Sequence, residues 1–222
     1  MRGRMELYVR QLELGPMDNF VHLIGAKGAR ETAVIDPAWD VDAILAAAAA
    51  DGREITTALI THHHDDHVNG LGPLLERRPE VRAYAQRREI EFAPVLQAFG
   101  SDLHPVDPGA RIEVGPARIG CIHTPGHTPG SQCFHVGGAL FTGDTLFIGG
   151  CGRCDRAGGD PELLFDSLHR VIGGLPDETA IYPGHHYGDR PVSTLGHEKA
   201  HNPYYLHRDL ASFVAFRMRP RT

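Results

Sequence analysis

No uninterrupted apolar run in this chain approaches the length of a membrane span; the alanine run at 46–50 is short and ends at Asp51-Gly52. The first fifteen residues scatter Arg2, Arg4, Glu6, Arg10 and Glu13 among apolar ones, so they lack the continuous apolar core of a signal peptide. Cysteine is scarce, with Cys121, Cys133, Cys151 and Cys154 the full set. In a chain of this length these read as reduced cytoplasmic thiols rather than a disulfide framework. Lys/Arg runs are missing and the net charge is −6, which argues against a nucleic-acid or anionic-membrane partner. No Gly-x-Gly-x-x-Gly or Walker sequence follows a strand, and no Gly-x-Ser-x-Gly elbow is present. Nucleotide-binding loops and a serine nucleophile are thereby set aside. Low-complexity segments and short-period repeats are lacking too. What the chain has in excess is histidine, 15 in 222 residues.

That length suits one domain over residues 1–222, with a helical tail from about 192 to 222. Strand-like runs recur at Glu6–Val9, Phe20–Ile24, Thr32–Ile35, Thr57–Thr61, Arg111–Val114, Ala117–Ile122, Gln132–Val136, Ala139–Thr142 and Thr179–Tyr182. Helices are interleaved. Asp40 is an N-cap for a helix through Ala50 closed by Gly52, and Asp160-Pro161 starts another that Gly173-Gly174 stop. In that second helix Leu164, Leu168, Val171 and Ile172 form the apolar face. Gly70–Arg78, Arg87–Phe99 and Asp209–Met218 read as further helices. The last would pack on the body of the domain or on a second subunit, as in a homodimer. Stretches 111–122 and 132–142 look like hairpins, which favours a sandwich of two sheets flanked by helices over a doubly wound fold.

The chemistry concentrates at strand ends. Thr61-His62-His63-His64-Asp65-Asp66-His67 directly follows the apolar Thr57-Ala58-Leu59-Ile60. Neutral imidazole and carboxylate are ligands that zinc, iron and manganese accept, and so dense a set suits a pair of close cations. Three later turns each present one more donor after a strand. These are His127 within Thr124-Pro125-Gly126-His127-Thr128-Pro129-Gly130, Asp144 after Gly143, and His185 after Pro183-Gly184. A lone loop histidine would carry no weight. Their conjunction with the first cluster makes a metal centre the expectation.

These motifs resemble the metallo-β-lactamase superfamily, in which a His-x-His-x-Asp-His signature precedes single His, Asp and His ligands in that order. The resemblance covers nearly the whole chain and implies an αββα sandwich with its metals at the edge between two sheets. It further implies that His62, His64 and His127 bind one metal, Asp66, His67 and His185 a second, and that Asp144 bridges them. Two divalent ions follow, zinc first, with iron or manganese as other fits. Within the superfamily the chain is similar to glyoxalase II (hydroxyacylglutathione hydrolase) and to persulfide dioxygenases. The stretches that carry this are Met17–Phe20, Phe141–Phe147, Gly150-Cys151-Gly152-Arg153, Ser193–Glu198 and Asn202-Pro203.

Three functions follow from the resemblance. The first is thioester hydrolysis by a metal-activated hydroxide, with Asp66 as ligand and orienting group and a small, glutathione-linked thiol substrate. The second is persulfide oxidation at a single Fe(II) held by His64, His127 and Asp144. Asp155 and the short linker from His185 to Ser193, which lacks a glyoxalase II insertion, favour it. The third is a silent thioester-binding protein, which the complete ligand set argues against. Around the metals, Arg153 is a candidate clamp for a substrate carboxylate, and Tyr187 a candidate substrate hydrogen-bonder.

Overall fold

The computed structural model describes residues 5–219; the first four residues and the last three, which end the N-terminal stretch and the C-terminal tail considered above, lie outside the described residues. Six strands form the first sheet in chain order: β1 (Leu7–Leu14), β2 (Asn19–Ala26), β3 (Glu31–Ile35), β4 (Glu54–Leu59), β5 (Arg82–Gln86) and β6 (Leu103–Val106). β1 to β3 run antiparallel, and β3 to β6 parallel. The second half supplies β7 (Arg111–Val114), β8 (Ala117–His123), β9 (Gln132–Val136) and β10 (Ala139–Gly143). A small β11 (Leu146–Phe147) and β12 (Gly150–Cys151) ribbon follows, then β13 (Ala180–Pro183) and β14 (Ser193–Thr194). Its sheet is ordered β14-β13-β10-β9-β8-β7, with the two expected hairpins antiparallel and β13 parallel to β10.

The helices lie outside. α1 (Val41–Ala50), α2 (Asp65–Val68), α3 (Leu71–Arg77), α4 (Arg87–Phe92) and α5 (Pro94–Gln97) belong to the first half. α6 (Pro161–Asp166), which runs on as a π-helical stretch Ser167–Ile172, is followed by α7 (Leu195–His201), α8 (Pro203–Leu206) and α9 (Leu210–Arg217). The caps read from sequence form: Asp40 accepts from Ala43 N, and Asp160 from Glu162 N and Leu163 N.

Three apolar clusters account for four layers. Val21, Leu23, Val34 and Ala58 pack with Val41, Ile44, Leu71 and Leu74 of α1 and α3. Ile24, Ala33, Ile35 and Leu59 meet Ile119, Phe134 and Phe141 between the sheets. Cys133, Leu140 and Ile181 pack with Leu164, Leu168, Leu195 and Phe213. β2 shows the logic: it is buried throughout, and its period of two sends Val21 and Leu23 to the helices and Ile24 and Ala26 to the other sheet. The result is the expected αββα sandwich.

Several details differ from expectation. β5 and β6 have no strand signal in their own residues: Arg82-Ala83-Tyr84-Ala85-Gln86 lacks β-branched residues, and β6 carries Pro105, tolerated because β6 is the sheet edge. β1 extends to Leu14 despite Arg10, Gln11 and Glu13, because it pairs residue by residue with β2. The single helix expected at 87–99 is broken at Ala93, which takes an extended φ/ψ before Pro94. Val171 is exposed, since the π-helical stretch turns it off the apolar face of α6. The tail is more than helical: β14 joins the second sheet, and Phe213 of α9 is fully buried against it.

That tail braces the segment between β11 and Arg153. Glu198 accepts from Gly149 N and Ser193 Oγ, Asn202 Nδ2 donates to Phe147 O and Gly150 O, and Arg217 Nε donates to Gly152 O at 2.7 Å.

One buried polar group has a consequence for stability. His22 lies in β2 beside Phe20, Phe141 and Tyr182, and its Nε2 meets no hydrogen-bond partner among the described residues. Burial pushes its pKa down to about 3. A base whose pKa is lowered on folding takes up a proton more readily when unfolded, so its stabilising contribution is present above about pH 6.5 and is lost as the pH falls toward 3. We expect His22→Leu to flatten the pH dependence of the urea midpoint between pH 7 and 4, by on the order of a few kcal/mol at the acid end. Equal slopes for the two proteins would refute this origin of acid sensitivity.

Candidate metal centre

β4 ends at Leu59, and Ile60 continues its ladder by donating to Tyr84 O. The next residues remain extended, with His64 at φ −60 and ψ 143, before α2 turns the chain. Extended backbone sends the alternate residues His62 and His64 to the same side, and the first turn of α2 adds Asp66 and His67. The second sheet brings the rest: His127 in the turn after β8, Asp144 after β10, and His185 after β13. Gly143 makes the β10 exit possible; its φ is +47, and a Cβ there would meet Thr61 Oγ1.

All seven expected donors converge on one edge of the sandwich. His64 Nδ1 lies 3.1 Å from His62 Nε2 and 3.0 Å from His127 Nε2. His67 Nε2 lies 3.0 Å from His185 Nε2, and Asp66 Oδ2 is 3.4 and 3.3 Å from those two nitrogens. Asp144 stands between the groups, with Oδ2 3.5 Å from His127 Nε2, and Oδ1 3.3 Å from His67 Nε2 and 3.4 Å from His185 Nε2. Within each three-residue group the donor atoms lie inside 4.8 Å of one another.

The outer nitrogens decide what the inner ones can do. His67 Nδ1 faces Asp36 Oδ2 at 2.9 Å, His127 Nδ1 faces Arg153 O at 2.8 Å, and His185 Nδ1 faces Met17 O at 2.8 Å. These partners only accept, so each Nδ1 carries the proton and each Nε2 turns a lone pair inward. His62 follows by one further step: Thr61 Oγ1 donates its proton to Asp36 Oδ2, leaving a lone pair for His62 Nδ1–H. Lone pairs 3 Å apart, together with a buried Asp144 Oδ1 that makes no hydrogen bond among the described residues, form a cradle for cations.

The titration behaviour agrees for His62, His64 and His127 and runs the other way for His67 and His185. Burial pushes His62 well down and His64 to about 4, and lowers His127. Burial also opposes charge on His67 and His185, yet Asp144 raises both, with Asp36 adding to His67. Burial would raise Asp144, but His67 and His185 hold it well below the ordinary carboxylate range. A bound cation would take over the compensation of Asp144 and release those protons.

A cleft of about 360 Å³ opens onto the centre, lined by His64, Asp65, Asp66, His127, Asp144 and His185 beneath Met17, Phe147, Arg153, Arg156 and Tyr187. Tyr187, half exposed, stacks on His185 with ring centroids 4.5 Å apart. Arg153 lies in the wall, its guanidinium paired with Asp155. The neighbouring histidines serve other partners: His63 binds the buried Glu89, and His186 binds Glu13. Cys151 and Cys154 are both buried, and burial raises the Cys154 thiol to about 11.

Sequence reasoning missed the positioning residues. Asp36 accepts from Thr61 N, Thr61 Oγ1 and His67 Nδ1. Its oxygens are therefore occupied, although it also clusters with His62 and His67. Asn19 Nδ2 donates to Asp66 Oδ2 and Asp66 O, while Asn19 Oδ1 accepts from Trp39 Nε1. Asp18, Asp36 and Trp39 are the non-glycine residues with positive φ among those described, and they lie in this support. Strained backbone gathering at one edge is what a functional site leads one to expect.

The sequence matches the metallo-beta-lactamase superfamily over residues 14–185. The chain belongs to that superfamily. Among curated relatives, the probable polyketide biosynthesis zinc-dependent hydrolase PksB of Bacillus subtilis (strain 168) is 32% identical, over 90% of this chain and 88% of its own. A hydroxyacylglutathione hydrolase of Aeromonas salmonicida (strain A449) is 39% identical over 77% of this chain and 62% of its own length. Among solved structures, ETHE1 from Myxococcus xanthus superposes with a TM-score of 0.85 at 33% identity, covering 96% of this chain and 92% of that one. The chain is thus an enzyme of a metal-binding hydrolase superfamily, similar to both groups that its motifs resembled. No described helix is long and apolar enough to cross a membrane.

Proposed function

We propose that this chain is a hydrolase of small thioesters related to hydroxyacylglutathione, working with two divalent cations, zinc in first place. The observation that carries this reading is the division of the donors: Asp144 turns Oδ2 to the His62–His64–His127 side and Oδ1 to the Asp66–His67–His185 side. Two donor groups about one shared carboxylate offer places for two cations. The zinc-dependent hydrolase and hydroxyacylglutathione hydrolase relatives support the same reading.

Two cations held by these donors would bring the pKa of a water in the cleft toward neutrality and polarise the thioester carbonyl. The residues supply the rest. Asp66, its Oδ2 fixed by Asn19, orients the attacking water and accepts its proton at the cleft floor. Tyr187, braced by His185 and Phe147, flanks the thiol arm. Met17 and Phe147 cover the scissile bond with apolar surface. The leaving group is a thiolate, which needs no dedicated acid, and the cleft offers no serine or cysteine to compete as nucleophile.

Two features favour a second reading, a single-iron persulfide dioxygenase: Asp155, which pairs with Arg153 of the cleft wall, and the short linker from His185 to Ser193. Metal analysis with two assays separates them. Two zinc-like ions per chain and free thiol released from S-lactoylglutathione are expected. One iron per chain with oxygen uptake on glutathione persulfide would replace the first reading by the second.

A further inference from the structure

Arg153 and Arg156 both line the cleft, but their guanidinium groups are not equally available. Arg153 donates from Nε and Nη2 to the two oxygens of Asp155, at 2.6 and 2.8 Å. That parallel pair is how an arginine grips a carboxylate, and Asp155 already fills it. Arg156 is exposed, and its guanidinium makes no hydrogen bond or ion pair among the described residues.

Its backbone is nevertheless held in place. Arg156 opens a tight turn in which Gly159 N donates to Arg156 O at 2.9 Å. Gly158 takes the third position with φ +79, the conformation a type II turn requires there. A Cβ on Gly158 would collide with Pro129 and Phe92, so the turn is wedged against the Thr124–Gly130 segment that carries His127. Asp160 N then donates to Gly126 O at 2.8 Å, closing the join. The side chain of Arg156 therefore starts from a fixed point beside the metal centre.

The other charged groups lining the cleft, Asp65, Asp66 and Asp144, are carboxylates. Met17, Phe147 and Tyr187 provide its apolar part. An anionic group on a substrate would meet one cationic side chain in this cleft with no partner of its own.

We infer that Arg156 binds a carboxylate carried by the substrate away from the reacting bond, and so selects thioesters with an acidic thiol arm. The Arg153–Asp155 pair is a neutral wall beside it. This assignment rests on the thioesterase reading above and gives it a substrate class.

The test compares S-lactoylglutathione with S-lactoyl-N-acetylcysteamine, which share the scissile bond while only the first carries carboxylates. In the metal-loaded enzyme, Arg156→Gln is expected to raise KM for S-lactoylglutathione about tenfold. The ratio of kcat/KM for the two substrates should fall by the same factor, and Arg156→Lys should recover part of it. An unchanged ratio in Arg156→Gln, or the same fall in Arg153→Gln alone, would overturn the assignment. If the wild-type protein cleaves neither compound, the thioesterase reading fails by itself, and calorimetry with S-methylglutathione decides the role of Arg156. About tenfold weaker binding by Arg156→Gln supports it; equal affinity, or no binding by the wild type, overturns it.

Discussion

Asp144→Ala is expected to lower kcat/KM by at least about 10³-fold, some 4 kcal/mol of transition-state stabilisation, while leaving the protein folded. The size of the effect follows from its place in the site. Each of its carboxylate oxygens faces a different donor group, so removal takes a negative ligand from both cation positions at once. It also takes away the charge that raises His67 and His185, leaving imidazoles to hold most of the site by themselves. The fold has little stake in the residue: its carboxylate meets histidines at the sandwich edge, and it belongs to none of the apolar clusters. Turnover, metal content by mass spectrometry and the urea midpoint check the three parts separately. Near-normal turnover with a full metal complement would remove Asp144 from the centre.

Asp36→Asn is the subtler change, with a smaller effect that falls on metal affinity. Asparagine keeps the shape but offers one acceptor oxygen where the carboxylate offers two. Thr61 N–H needs the Oδ1 position, so the amide NH₂ would face Thr61 Oγ1 and His67 Nδ1. Two N–H groups cannot face each other at 2.9 Å. His67 would have to move its proton to Nε2, pointing it at the very place where its lone pair is wanted. The same conflict reaches His62, whose orientation depends on Thr61 Oγ1. Loss of such a supporting partner typically costs about 10–100-fold in metal affinity. Competition against a chromogenic chelator measures it, and an unchanged affinity would show that Asp36 serves the fold alone.

The contrast between these two residues shows what could be read before the structure. His62, His64, Asp66 and His67 announce themselves because so dense a run of donors after an apolar strand has no structural use. Asp144 and His185 become legible by sharing that strand-end context. Helices α1 and α6 were readable from Asp40, Asp160 and Pro161, whose capping is a local matter. Asp36 could not be recognised the same way. Its partners lie 25 and 31 positions away, and nothing near it in sequence says which imidazole it will meet. Strand β5 was hidden for a related reason: its identity comes from parallel neighbours β4 and β6, not from its own residues. The difference between Arg153 and Arg156 was equally out of reach, since Asp155 stands next to one and two from the other, and only the folded loop shows which it pairs with.

The way the donors are shared between the two sheets has a last implication. The segment after β4 of the first sheet carries His62, His64, Asp66 and His67, and the second sheet carries His127, Asp144 and His185. Any cation seated among them is a clasp across the seam of the sandwich, adding to the hydrogen bonds that already cross this edge, such as Phe20 N to Gly184 O and Gln132 N to Thr61 O. Loading and folding then become one linked equilibrium, in which the sandwich tightens as free metal rises and loosens at its working edge as metal is withdrawn.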